Sequence, residues 1–114
     1  MSYQATRQLK GDSQFWTGVL NTDQNVIITE ADRVHSVFMD ASLGVRRVDL
    51  PDANLNPGRI VIVKKMDAAA NNVEIHTNGV DLLDGAFLTA LGGQYDRITL
   101  QSDGVSNWNV ISFP

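Results

Sequence analysis

Histidine, carboxylate and hydroxyl groups are the side chains through which this chain could do chemistry, and they are sparsely placed. His35 and His76 each fall in a predicted strand with no Ser or Asp at a recognisable catalytic spacing. A surface or hydrogen-bonded role accounts for both, since a triad or a two-His metal site would have to be assembled through space. Acidic residues cluster in Asp49-Leu50-Pro51-Asp52 and Asp81-Leu82-Leu83-Asp84-Gly85. A calcium loop needs ligands at alternate positions and a bidentate Glu, which neither cluster supplies. A glycosidase carboxylate pair has no sequence signature. The preference of Asp for turns explains both clusters. Gly92-Gly93 and Asp103-Gly104 are followed by no helix that could aim its amides at an anion, and neither GxxxxGK(S/T) nor GxGxxG occurs. The expectation is a protein that is not an enzyme, with no catalytic residue, no cofactor and no metal.

Aromatic and paired basic residues offer binding chemistry instead. Trp16 and Trp108, with Phe15, Phe38, Phe87, Tyr95 and Phe113, could stack on sugars, but core packing is the simpler use for most of them. Phe15-Trp16 stands apart, because neighbours in a strand face opposite sides: one should enter the core and the other an interface or solvent. Arg46-Arg47 and Lys64-Lys65 split across two faces in the same way, so each pair reads as rim charges or salt-bridge partners.

The elements that must position these groups are short. At 114 residues the chain suits one domain, since a chain of this size buries only roughly 65 % of its unfolded surface. Hydrophobic residues at 43 % and charged residues at 19 % are ordinary for a globular protein. A net charge of −4 and a pI near 4.8 disfavour binding to nucleic acid through phosphate neutralisation. The absence of cysteine removes disulfides and thiolate metal sites. No segment has the roughly 18 apolar residues of a membrane span, and the first ten residues lack a signal-peptide run. A soluble protein made in the cytoplasm is expected, with no membrane partner.

Residues 1–14 are polar and end in Gly11-Asp12-Ser13-Gln14, which suggests an extended N-terminal arm ahead of a single β-domain over 15–114. Strand-length β-prone runs follow at Phe15 to Leu20, Asn25 to Thr29, Ser36 to Met39 and Val45 to Leu50. Glu30-Ala31-Asp32-Arg33 is long enough for one helical turn capped by Thr29. Pro57-Gly58 fits the centre of a type II turn. Ile60 to Val63 is apolar without alternation, so it should be a central strand buried on both faces. Val73 to Thr77 alternates, as does Tyr95 to Gln101 with Ile98 and Leu100 on one face. Ser102-Asp103-Gly104 should turn the chain into a terminal hairpin strand carrying Trp108, Val110 and Ser112 on one face. With no sustained helical stripe, the fold class is all-β: a small antiparallel β-sandwich or barrel-like domain. No repeat of fixed period is visible, which speaks against a solenoid.

The order of motifs over more than half the chain is itself informative. It runs Leu50-Pro51, Pro57-Gly58-Arg59, Ile60 to Lys65, Asn72-Val73-Glu74-Ile75, Leu83-Asp84-Gly85, Tyr95-Asp96, Leu100-Gln101-Ser102-Asp103-Gly104 and Asn107-Trp108. That order resembles a bacteriophage virion module found in capsid decoration (cement) proteins and tail fibre proteins. The resemblance implies a small β-domain, commonly trimeric about a threefold axis, on a virion surface. No long shaft or collagen-like repeat precedes the module here, which favours a capsid decoration protein. It would bind the major capsid protein on the capsid exterior as a homotrimer and stabilise the assembled shell. Capsid or subunit contacts are then expected at Tyr3, Gln4, Arg7 and Leu9 of the arm and at Phe15 and Trp16. The alternative is a tail fibre or baseplate tip that grips host glycans with the loop from Asp84 to Gly93.

Overall fold

The computed structural model describes residues 18–114, and every element in it but one is a strand. The strands are β1 (Val19–Thr22), β2 (Val26–Ile27), β3 (Ser36–Met39), β4 (Arg46–Asp49), β5 (Ile60–Lys65), β6 (Val73–His76), β7 (Leu82–Leu83), β8 (Leu88–Leu91), β9 (Arg97–Ser102) and β10 (Asn107–Ser112). A 3-10 turn at Ala53–Leu55 interrupts them. The all-β class holds. No helix among the described residues is long and apolar enough to cross a membrane.

The arrangement of strands corrects the expected antiparallel sandwich or barrel. From β1 to β6 the chain steps alternately between two sheets, and each return lies parallel beside its predecessor. Val19 pairs with Ser36 and Ser36 with Ile62 in one sheet, Val26 with Val48 and Val48 with Ile75 in the other. This is solenoid-like stacking of three coils. The coils are of unequal length, so the stacking leaves no fixed period in the sequence, and the solenoid that the sequence speaks against is present without one. A parallel stack needs lateral register between strands, and the loops absorb the differences. Two strands then run the other way: β8 pairs antiparallel with β6, and β9 with β5. The finished sheets read β1-β3-β5-β9-β10-β7 and β2-β4-β6-β8.

The core lies between these sheets. Val37, Val63 and Ile98 are register partners across three strands, and Val26, Val48 and Ile75 across the opposing three. These residues, with Met39, Leu50, Val61, Val73, Leu91, Leu100 and Trp108, are all buried. Each fully buried aliphatic side chain contributes about 1.5–3 kcal/mol. The central position of β5 is as expected, but its double burial is not: Val61, Val63 and Lys65 face inward while Ile60, Ile62 and Lys64 alternate outward. The β9–β10 hairpin forms as read. A register shift between Val110 and Ser112 breaks the expected common face. Ser112 instead pairs with Thr99, its Oγ donating to Thr99 Oγ1 at 3.0 Å. Strands β7 and β8 fall where only loop was expected, their few residues being too short for a periodic signal.

Candidate functional site

A cleft of about 590 Å³ opens where the loop at residues 30–35 faces the turn that leads into β5. One wall is built by local caps. Asp52 accepts the N–H of Asn54 and starts the 3-10 turn. Asn56 O then accepts Arg59 N–H at 3.1 Å across Pro57-Gly58, with Gly58 at φ 75°, as a type II turn requires. The opposite wall is organised by Asp32. Its carboxylate accepts Thr29 N–H at 2.7 Å and Val34 N–H at 2.9 Å, while Thr29 Oγ1 accepts Asp32 N–H at 3.3 Å. These are the reciprocal bonds of a capping box, yet no helical turn follows, which corrects the turn expected over Glu30 to Arg33.

Arg59 ties the two walls together. Its guanidinium donates to Thr29 O at 2.7 Å, Asn56 Oδ1 at 3.0 Å, Asp32 Oδ1 at 2.8 Å and Val34 O at 2.9 Å. A guanidinium so engaged is a strut and has little capacity left for a ligand. Partial burial works to raise the Asp32 carboxyl. The N–H groups of Thr29 and Val34 and the Arg59 guanidinium outweigh it and hold the group below the usual carboxylate range. What the cleft presents outward is Leu55 and Ile60, both substantially exposed, flanked by Glu30, Arg33 and His35. That combination offers apolar contact with both signs of charge at its rim.

His35 Nδ1 lies 2.9 Å from Ser36 Oγ, an arrangement that sequence spacing alone did not single out. Ser36 is buried, and no described carboxylate orients the other ring nitrogen. The contact therefore satisfies a buried hydroxyl and does not expose a nucleophile. His76 is likewise hydrogen-bonded, its Nε2 2.9 Å from Glu74 Oε1 on the outer face of β6. Among the described residues no three His, Cys, Asp or Glu side chains converge to hold a metal ion.

The acidic clusters mostly do what turn residues do. Asp52 caps the 3-10 turn, Asp84 Oδ1 accepts Val110 N–H, and Asp49 pairs with Arg47 at 2.6 Å. Asp81 is buried and receives Ala53 N–H at 2.9 Å. Lys64 and Lys65 do point to opposite faces, but Lys65 is not a rim charge. It is fully buried, with Nζ 2.7 Å from Asp67 Oδ2. Asp67 also accepts the N–H groups of Ala41 and Ala69.

Core packing, expected for most of the aromatic residues, holds among the described ones for Trp108 but not for Phe87, Tyr95 or Phe113. Trp108 fills the core and donates its indole N–H to Pro51 O at 3.2 Å. Phe87, Tyr95 and Phe113 are instead exposed, in loops or at the chain end where no opposing layer covers them. Tyr3, Gln4, Arg7, Leu9, Phe15 and Trp16, the expected contact residues, lie outside the described residues, as does the whole arm. No protein-family model matches this chain, and no curated protein matches it.

Proposed function

We propose that the chain is a bacteriophage virion structural protein that decorates the assembled capsid as a homotrimer, with the major capsid protein as its partner. The observation that carries this reading is the amount of large apolar side chain left on the outside of the all-β body. Ile27 is 73 % exposed, Leu43 79 % and Val80 86 %, beside Leu55, Phe87, Val105 and Ile111. Together they offer apolar area that a partner could cover. The motif order from Asp49 to Ser112 supports a virion setting. A protein that binds only the assembled shell stabilises it by mass action, without catalysis.

Phe87 and Tyr95 favour a second reading, because these exposed rings lie on either side of β8, in and just beyond the segment from Asp84 to Gly93 that a fibre or baseplate tip would use on host glycans. The test is co-sedimentation with expanded shells that lack the protein, after its mass has been fixed by light scattering. Saturable binding of trimers and a higher shell melting temperature are expected. A trimer that ignores shells but binds host glycans would move the protein to the tail.

A further inference from the structure

The outward face of the six-stranded sheet has a charge pattern unlike the rest of the chain. Twelve of the 13 acidic residues lie within 18–114, yet none falls in β1, β3, β5, β7, β9 or β10. The outward charges of these strands are Lys64 and Arg97, and the two are direct cross-strand partners. Like charges placed opposite each other in a sheet destabilise it. Neither makes an ion pair with a described residue.

A second irregularity adjoins the first. Tyr95 takes φ 67°, a left-handed conformation that costs a bulky residue free energy. The hydrogen bonds Tyr95 N–H to Lys65 O and Lys65 N–H to Asp96 O hold it there. Its exposed ring stands 5.2 Å from Lys64 Nζ. Around this cationic and aromatic corner the same face presents Val19, Phe38, Ile60 and Ile62, none of them fully buried. Two local departures from good sheet design in one place point to a contact made outside the monomer.

We infer that this face is the interface with a second copy of the chain, joined head to tail. The clause in the reading above on which this rests is the homotrimer. Charge complementarity decides the occupant and the geometry. The chain is acidic overall, and its acids lie outside the strands of this sheet, with Asp23, Asp40, Asp81, Asp84, Asp96 and Asp103 at the strand ends, so the rim of a neighbouring copy can supply the opposite charge. Packing the face on itself about an axis near this corner would bring Lys64 and Arg97 of both copies together. The homotrimer needs a heterologous contact, which closes into a ring only where its rotation allows. The apolar centre supplies burial, and the bases set register.

The substitution that tests this is Lys64→Glu. It places Glu opposite Arg97 and so creates a favourable cross-strand pair within the monomer, while reversing one charge at the interface. Light scattering over a concentration series should show association weakened at least tenfold, with monomer melting temperature equal to or above that of the unaltered protein. Raised salt should weaken the unaltered trimer and affect the variant less. An association curve unchanged by Lys64→Glu overturns the interface and leaves the trimer intact. An unaltered protein that stays monomeric throughout removes both the trimer and this interface. A monomer less stable in the variant, with association unchanged, would mark Lys64 as a purely structural residue and also overturn the inference.

Discussion

Asp67→Ala should cost this fold far more than Lys65→Met, although the two residues form one ion pair. Lys65 is wholly buried, the Asp67 side chain is 11 % exposed, and their charged atoms are 2.7 Å apart. Removing the carboxylate leaves an ammonium in the interior without its counter-charge, which costs about 3–5 kcal/mol. It also strips the acceptor from the N–H groups of Ala41 and Ala69, so the upper part of that range applies. A loss of this size lowers Tm on the order of 10–20 °C. Lys65→Met keeps the buried volume, and Asp67, closer to solvent, retains both amide donors. Its cost should be about 1 kcal/mol or less, with a gain permitted. Urea titrations followed by far-UV circular dichroism would measure both. Equal losses in the two variants would refute the argument, because they would show that the pair acts by mutual attraction and not by shielding the lysine. Acid adds a check of sign. Burial pushes the Asp67 carboxyl up, but the Lys65 ammonium and neighbouring N–H groups hold it below its ordinary 3.8. Its contribution is thus complete above pH 3.8 and disappears as pH falls through the lowered folded value. Asp67→Asn should flatten that acid limb.

A Cβ at Gly18 would lie 1.5 Å from Arg33 O, so Gly18→Ala must push the first coil away. Loss of protection at the His35 and Ser36 amides, both bonded to Gly18 O, should follow in hydrogen exchange. Arg59→Ala removes the guanidinium from five acceptors and should cost about 2–4 kcal/mol in a urea melt, with faster proteolysis in the loop at residues 29–34. Trp108→Phe should cost about 1–2 kcal/mol for the indole N–H bond to Pro51 O, and Trp108→Ala about 3–5 kcal/mol by calorimetry.

Local patterns carried much of the fold. The bounds of β3, the alternation of β6 and β9, the Pro57-Gly58 turn and the β9–β10 hairpin each depend on residues close together in sequence, and each was legible. The parallel pairing was not, because Val19, Ser36 and Ile62 meet only through loops whose lengths differ. Short strands bounded by turn residues look the same whether the turn closes a hairpin or passes the chain to the opposite sheet. The cap read at Thr29 misled for a related reason: its bonds with Asp32 can close on a loop, here one also held by Arg59, which lies far away in sequence just ahead of β5. Of the paired bases, Lys64 and Lys65 were correctly split across faces. Burial of Lys65 was invisible because its partner, Asp67, is an ordinary turn residue in sequence.

The direction of the strands around β5 and β6 also constrains how such a molecule can lengthen over evolutionary time. A coil like β3 with β4 has parallel neighbours on both sides, so a duplicated copy of it would find the same register it left. Beyond β5 and β6 the next strands run antiparallel, and a duplicated coil inserted there would meet the wrong hydrogen-bond spacing. Gene duplication can therefore add rungs on the amino-terminal side, while the carboxy-terminal half must be inherited as a unit.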